Sequence, residues 1–370
     1  MLFGKPKSHH NFSLYTFHFS LVLSPPERNK IKMTCNFPHD FTLRDNVLRI
    51  NCLSHTGVVK SDGFIFALNG HYILHDGGMT GTTFALDALL KLREAAGVDV
   101  LHFDWFISHY HIDHVCGPIE NVINDPRFAI DTVVLPPHNA LPADLPHGDS
   151  KYSPRIEAAL KEFHPNVKRI EVHYHSDDPS TIFYNFGGAE IEILPPDTDW
   201  SNPRELYEII CDGYFGIDDI YEPKVPTCVG NAASIWFIIR HGGRKILFTG
   251  DSMKRTRGIT EESVDRMWAI YKDVIGRPDV AKWPHHGQAR DDADLVMHDM
   301  DPDYILTTAH FEGASVRFNK VFPENKVRFF NCCEKDVLIA VSADGALEVT
   351  GGKEGINDGE VYVLKAGKIK

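Results

Sequence analysis

The 370-residue chain lacks the features of several protein classes. No uninterrupted apolar run approaches the roughly 18 residues of a membrane-spanning helix, so no membrane segment is indicated. The seven cysteines are odd in number and form no C-x-x-C pair, which argues against a disulfide framework and a zinc knuckle. The chain also has no short-period repeat and no G-x-S-x-G motif, so neither a solenoid nor a serine-nucleophile hydrolase is indicated.

Positive charge is also scarce, and the formal net charge is -13. Nucleic-acid-binding proteins normally carry a basic surface, so the composition disfavours a nucleic acid as partner, although bound metal ions would offset the negative charge locally. Hydrophobic residues make up 43% of the chain and charged residues 24%, as in soluble globular proteins. Together with the cysteine usage, this composition favours a cytoplasmic location.

The first 44 residues differ in composition from the rest of the chain. They contain basic residues, a short apolar run at 12–23 and the sequence Ser24-Pro25-Pro26. We interpret residues 1–44 as a leader that is disordered or an extension, with a secretion signal as the alternative. Residues 45–370 are predicted to form one domain, in which residues 197–228 show little periodicity and are interpreted as an irregular insertion.

The remainder of the chain alternates groups of strands with helices. Asn69-Gly70 separates two apolar runs, 63–68 and 71–74, which predicts a β-hairpin. A leucine-rich segment at 84–96 is followed by Gly97, which predicts a helix and its end. Further strands are predicted at 47–52, 105–108, 132–135, 189–194, 234–240, 245–248, 304–306, 326–330, 337–341, 346–349 and 361–365, and further helices at 154–163 and about 260–275. This pattern predicts two sheets enclosed by outer helices.

One short segment concentrates potential metal ligands. His109, His111, Asp113 and His114 lie within six residues, directly after the predicted strand at 105–108. A strand end leads into a loop at the sheet edge, where alternate side chains can converge. Imidazole nitrogens and carboxylate oxygens suit zinc, iron or manganese. A histidine-rich surface loop is the alternative, but the density of ligands and their position after a strand favour a metal site.

The spacing H-x-H-x-D-H in this segment resembles the signature of the metallo-β-lactamase superfamily. Other parts of that pattern are present in order: Asp76-Gly77-Gly78 after an upstream strand, Thr249-Gly250-Asp251 after a downstream strand, and then Pro284-His285-His286-Gly287. The resemblance covers about residues 47–349 and implies an α/β (α+β) fold, a four-layer αββα sandwich of two mixed β-sheets flanked by helices. Residues 231–251 are similar to the soluble domain of competence-type DNA-uptake proteins and to phosphorylcholine esterases.

The resemblance implies two divalent metal ions, with zinc favoured and manganese or iron as alternatives. His109 and His111 would hold the first ion, Asp113, His114 and His286 the second, and Asp251 both. Asp76 and His285 are expected behind these ligands, where they would orient them. Many relatives supply a third histidine to the first ion, and none of the candidates here has the expected context: His138, His147, His164, His173 and His175. The first site is therefore expected to be the more open one.

The resemblance further implies a metal-dependent hydrolase that uses a metal-bound hydroxide, with a phosphodiester or phosphate ester as the favoured substrate. Lactones, thioesters or amides are alternative substrates, and a non-catalytic metal-binding protein is an alternative function. Asp113 and Asp251 are expected to orient the nucleophile, and His310 or Lys282 to stabilise the leaving group. The expected partner is a small-molecule or phosphoester substrate.

Overall fold

The computed structural model describes most of the segment between residues 41 and 364. The described residues are 41, 43–53, 60–136, 152–173, 181–196, 231, 234–252, 263–287, 294–309, 314, 318, 321–322, 328–333, 336–351 and 362–364. The predicted insertion at 197–228 lies outside them, as does nearly all of the predicted leader. One leader residue, Phe41, is buried and stacks beneath the guanidinium of Arg49, so the folded part includes Phe41.

The first sheet contains nine of the strands in the described part of the chain, in the order β16-β15-β14-β1-β2-β3-β4-β5-β6. They are β1 (Val47–Cys52), β2 (Gly63–Leu68), β3 (His71–Asp76), β4 (Leu101–Phe106), β5 (Phe128–Leu135), β6 (Lys168–Glu171), β14 (Val337–Ser342), β15 (Leu347–Gly351) and β16 (Tyr362–Leu364). The sheet is mixed, because β3 to β6 run parallel to one another and the other neighbours are antiparallel.

The second sheet contains seven strands within the described residues, in the order β13-β12-β11-β10-β9-β8-β7. They are β7 (Ile182–Phe186), β8 (Ala189–Leu194), β9 (Trp236–His241), β10 (Arg244–Phe248), β11 (Val280–Lys282), β12 (Tyr304–Thr307) and β13 (Arg328–Asn331). Strands β10 to β13 are parallel, and β7 to β10 are antiparallel, so this sheet is mixed as well.

Helices cover the outer face of each sheet. Helices α1 (Phe84–Ala96), α2 (Ile112–Asn121) and α3 (Tyr152–Phe163) share one apolar cluster with the first sheet. Helices α4 (Ser263–Ile275) and α5 (Asp294–Met300) share another with the second sheet. A third cluster joins the inner faces of the two sheets, including Phe66, Phe106, Phe237 and Phe248. The four layers αββα, with two mixed sheets at the centre, are therefore confirmed.

The turn of the hairpin and the end of the first helix lie at the residues that the sequence predicted. The turn Asn69-Gly70 has positive φ at both residues, as a two-residue hairpin turn requires, and pairs Leu68 with His71. Gly97 ends α1 in the left-handed conformation, at φ 67°. No helix among the described residues is long and apolar enough to cross a membrane.

Helix α2 was not predicted, and its sequence explains why. Pro118 lies inside it, and a proline removes one backbone N–H and usually interrupts a helix. The carbonyl of His114, which a residue at 118 would normally bond, instead accepts a hydrogen bond from Gly78 N–H at 3.0 Å. A tertiary contact thus replaces the missing helical bond, and Asp113 and His114 lie in a first helical turn rather than in the expected loop.

Candidate metal centre

The predicted ligands lie at one edge of the sandwich, where strands of both sheets end. Strand β4 leads into the segment with His109 and His111, and β10 leads into Thr249-Gly250-Asp251. Strand β11 leads into the turn Pro284–Gly287, which carries His286. Because the parallel strands of a sheet present their carboxyl ends at the same edge, this topology brings ligands from distant parts of the chain together.

The glycines after Asp76 allow α2 to lie close to the end of β3. A Cβ atom at Gly77 would lie 2.4 Å from Cγ of Pro118, and one at Gly117 would lie 2.4 Å from the carbonyl oxygen of Gly77. Gly117 N–H also donates to the carbonyl oxygen of Gly78 at 2.9 Å. The motif Asp-Gly-Gly therefore fixes the position of the helix that carries Asp113 and His114.

A second close approach positions Asp251. Gly250 has φ 53°, and a Cβ atom there would lie 2.8 Å from Cβ of Ser234. Asp251 N–H donates to Oγ of Ser234 at 3.0 Å, and Thr249 Oγ1 donates to the carbonyl oxygen of Lys282 at 2.8 Å. The segment after β10 is thus held from two sides.

The ligand atoms form two groups that share Asp251. His109, His111 and Asp251 form one group, and His114, His286 and Asp251, with Asp62, form the other; within each, the ligand atoms lie within 4.8 Å of one another. Oδ2 of Asp251 lies 3.0 Å from Nε2 of His286, 3.3 Å from Nε2 of His114 and 4.0 Å from Nε2 of His109. One carboxylate oxygen therefore faces imidazoles of both groups.

Asp113 completes the second group better than Asp62 does. Oδ2 of Asp113 lies 3.2 Å from Nε2 of His286, on the side where the other ligand atoms lie. Asp62 instead contacts Nδ1 of His286 through Oδ1 at 2.9 Å, and its Oδ2 lies 2.5 Å from Nζ of Lys282. Nδ1 and Nε2 are on opposite sides of the ring, so we place Asp62 behind the imidazole as an orienting residue.

Asp76 contacts the histidines of the segment after β4 in the same way. Its Oδ2 lies 2.8 Å from Nδ1 of His114 and accepts a hydrogen bond from Oγ of Ser108 at 2.8 Å. Oγ of Ser108 also lies 3.0 Å from Nδ1 of His109. These contacts favour a proton on Nδ1 of both imidazoles, which leaves each Nε2 lone pair directed at the centre.

The centre contains buried ligand atoms without hydrogen-bond partners. They are Nε2 of His109, His114 and His286 and Oδ2 of Asp113 and Asp251. Such atoms are costly to bury unless something compensates them. Neutral imidazole nitrogens and carboxylate oxygens at these distances are the ligand set that zinc, manganese and iron prefer. The residues present therefore fit two divalent ions.

The carboxylates of the centre are held in their charged form. Burial by itself raises the pKa of Asp251, but the charges of His286, His114 and Lys282 outweigh it and hold that pKa well below its ordinary value. Burial likewise opposes ionisation of Asp113, but its close contact with His286 and the charges of the nearby imidazoles lower its pKa well below the ordinary value. Both groups are therefore anionic at neutral pH.

The histidines divide into two kinds. Burial lowers the pKa of His111 to about 3 and places that of His109 well below its ordinary value, so both are neutral. Burial also opposes the charged form of His286, but Asp251 and Asp62 raise its pKa to about 9, and Asp251 and Asp76 raise that of His114. In the absence of metal these two imidazoles take up protons, which bound cations would displace.

Lys282 is buried among carboxylates and a backbone carbonyl of the centre. Its side chain is only 1% exposed, and Nζ donates to the carbonyl oxygen of Gly250 at 2.7 Å. Nζ also lies 2.5 Å from Oδ2 of Asp62 and 3.3 Å from Oδ1 of Asp251. The expectation that Lys282 stabilises a leaving group is therefore wrong, because the ammonium group points into the protein and neutralises two buried carboxylates.

The described residues include only some of the other candidate histidines. His310, His138, His147 and His175 fall outside the described residues. His164 uses Nε2 on the carbonyl oxygen of Ile123 at 2.7 Å, and His173 is exposed beside Glu171. His285 adjoins the centre, with Nε2 3.9 Å from Oδ2 of Asp251, but it is not part of either ligand group. Among the described residues, the first group therefore has two imidazoles and one shared carboxylate.

Asp62 was missed, although the sequence contains a signal for it. The two-residue turn Asn69-Gly70 fixes the hairpin register and pairs Gly63 with Asp76, so the preceding Asp62 must lie near the Asp-Gly-Gly motif. Gly77 N–H indeed donates to the carbonyl oxygen of Asp62 at 3.1 Å. Its contact with His286, which is 224 residues away, could not be read from that register.

Comparison with known proteins found resemblance only at the level of structure. No protein-family model and no curated protein matches the chain. The metallo-β-lactamase fold protein YhfI from Bacillus subtilis is 13% identical, with a TM-score of 0.44 over 86% of this chain and 100% of that one. Tm1679, a metal-dependent hydrolase of the β-lactamase superfamily, is 14% identical, with a TM-score of 0.43 over 80% and 99%. A diphosphatase of the PhnP family is 14% identical, with a TM-score of 0.35 over 70% and 86%.

Proposed function

We propose that the protein is a metal-dependent hydrolase with two divalent ions, and that it acts on a phosphodiester or phosphate ester. The observation that carries this proposal is the pair of ligand groups that share Asp251. Such a pair suits a two-metal site, in which the ions lie about 3.5–4 Å apart. We assign His109 and His111 to the first ion, Asp113, His114 and His286 to the second, and Asp251 to both.

Bound divalent ions supply Lewis acidity toward the scissile ester and lower the pKa of an attacking water. The chain's own residues set the geometry for this chemistry. Asp76 and Asp62 hold His114 and His286 through Nδ1, so that each Nε2 faces the centre. Oδ1 of Asp251 faces Lys282, which leaves Oδ2 as the oxygen directed at the imidazoles.

The charge of the occupied site favours an anionic substrate. Four carboxylates surround it, from Asp62, Asp76, Asp113 and Asp251, and two lysines touch them, Lys60 and Lys282. With two divalent ions and neutral imidazoles, the centre carries about two net positive charges. A phosphoester oxygen is stabilised by such a field more than a neutral lactone or thioester is.

A substrate panel tests this proposal. Protein reconstituted with zinc or manganese is assayed with bis(p-nitrophenyl) phosphate, p-nitrophenyl phosphate, p-nitrophenyl phosphorylcholine, a lactone and a thioester. We expect metal-dependent turnover of a phosphoester at a kcat/KM about tenfold or more above that of the neutral esters. Turnover of the lactone or thioester alone would establish the alternative substrate class. Bound metal without turnover of any of these compounds would favour the non-catalytic alternative.

A further inference from the structure

Two lysines contact carboxylates of the metal centre, and they differ in exposure. Nζ of Lys282 lies among Asp62, Asp251 and the carbonyl oxygen of Gly250, and its side chain is 1% exposed. Nζ of Lys60 lies 3.2 Å from Oδ2 of Asp113, and its side chain is 29% exposed. The first ammonium group is enclosed by the protein, whereas the second lies at the boundary between the centre and solvent.

The backbone of Lys60 is held by elements of the centre itself. Lys60 forms an isolated antiparallel β-bridge with Ala309, and Ala309 N–H donates to the carbonyl oxygen of His286 at 3.1 Å. The next residue, Ser61, donates from Oγ to the carbonyl oxygen of Asp113 at 3.0 Å. Lys60 is thus fixed between the turn that carries His286 and the helix that carries Asp113.

We propose that Lys60 is a substrate-binding residue that receives an anionic oxygen of the substrate beside the second ion. This inference rests on the proposed function and deepens it, because it names the residue that distinguishes phosphoesters from neutral esters. An ammonium group donates up to three hydrogen bonds, so contact with Asp113 and with a substrate oxygen are compatible. A cation bound to Oδ2 of Asp113 would also withdraw charge from that oxygen and so weaken the attraction between Asp113 and the ammonium group of Lys60.

A purely supporting role predicts different behaviour. If Lys60 only oriented Asp113, removing the Lys60 ammonium group would weaken the binding of the second ion. The protein molecules that still held both ions would bind anions as tightly as the parent does. If Lys60 binds substrate, its removal weakens the binding of anions while both ions stay bound. Metal content and anion affinity therefore separate the two roles.

The test compares Lys60→Gln and Lys60→Arg with a matched control, Lys168→Gln, in which an exposed lysine of β6 is replaced. Inorganic phosphate is titrated by calorimetry into each metal-loaded protein, and metal content is measured on the same samples. We expect Lys60→Gln to weaken phosphate binding about ten- to hundredfold with unchanged metal content. We expect Lys60→Arg to retain most of the affinity, because it keeps the charge, and the control to match the parent.

Steady-state kinetics on the same variants provide the second measurement. Lys60→Gln is expected to raise KM for a phosphodiester about tenfold or more, and to leave KM for a neutral ester unchanged. The proposal is overturned if phosphate affinity is unchanged, or if Lys60→Gln loses metal and phosphate affinity together. Phosphate binding is measured without turnover. An error in the proposed substrate class would therefore be detected by the substrate panel, and the phosphate titration would still test the role of Lys60.

Discussion

Asp251→Asn is expected to lose metal binding and at least about a thousandfold of the hydrolase activity. Residues that only orient a metal ligand typically contribute 10- to 100-fold to affinity or activity, and a ligand shared by two ions contributes more. Asparagine keeps the size of the side chain and removes the negative charge that faces His114 and His286. The measurements are metal content and kcat/KM on the best substrate of the panel.

Asp273→Asn is the matched control, because Asp273 is exposed on α4 and the substitution is the same. It should retain both ions and the activity of the parent. If Asp251→Asn kept two ions and an activity within tenfold of the parent, Asp251 would not be the shared ligand, and the assignment of both sites would be wrong.

Lys282→Met is expected to lower the free energy of unfolding of the metal-free protein by about 3–5 kcal/mol, the usual effect of removing one partner from a buried ion pair. Methionine fills a similar volume but removes the ammonium group that faces Asp62 and Asp251. Burial opposes the charged form of Lys282, yet Asp62 and Asp251 keep its pKa above the ordinary value, so the lysine is charged in the folded protein. Urea unfolding of the apo protein measures the difference.

A double variant distinguishes lost charge from lost packing. Adding Asp62→Asn to Lys282→Met removes one of the two carboxylate charges that lose the ammonium group, so we expect the double variant to be more stable than Lys282→Met alone. Lys245→Met is the control, since this partly exposed lysine on β10 donates only to a backbone carbonyl, that of Ile275, among the contacts described for its Nζ. Its effect should be about 1 kcal/mol. Additive losses in the double variant would show that the charges of Lys282 and Asp62 are not coupled.

The sequence allowed the fold to be predicted where local rules decide the structure. The turn Asn69-Gly70 and the end of α1 at Gly97 depend on backbone conformations that a few residues determine. Strands β1, β2 and β8 could be delimited by their apolar runs and the turns around them. Helix α2 could not, because its stability depends on Gly78, which bonds the carbonyl that Pro118 leaves without a helical partner.

The candidate site shows the same division. The pattern of histidines and aspartates identified the residues that the structure brings together, because each follows a strand that ends at the same edge. Which way a side chain points could not be predicted. Lys282 is the last residue of β11 and adjoins the buried Trp283, and only the positions of Asp62 and Asp251 show that it faces inward. Lys60 and Asp62 belong to one short segment, and their place at the centre is evident only from their contacts with Asp113 and His286.

Anomalous X-ray diffraction at the zinc edge, from crystals of the zinc-reconstituted protein, would show whether two ions share Asp251. We predict two peaks about 3.5–4 Å apart, with Oδ2 of Asp251 between them. One peak should lie beside His109 and His111, and the other beside Asp113, His114 and His286. A single peak, or a peak pair that does not contact Asp251, would contradict the account.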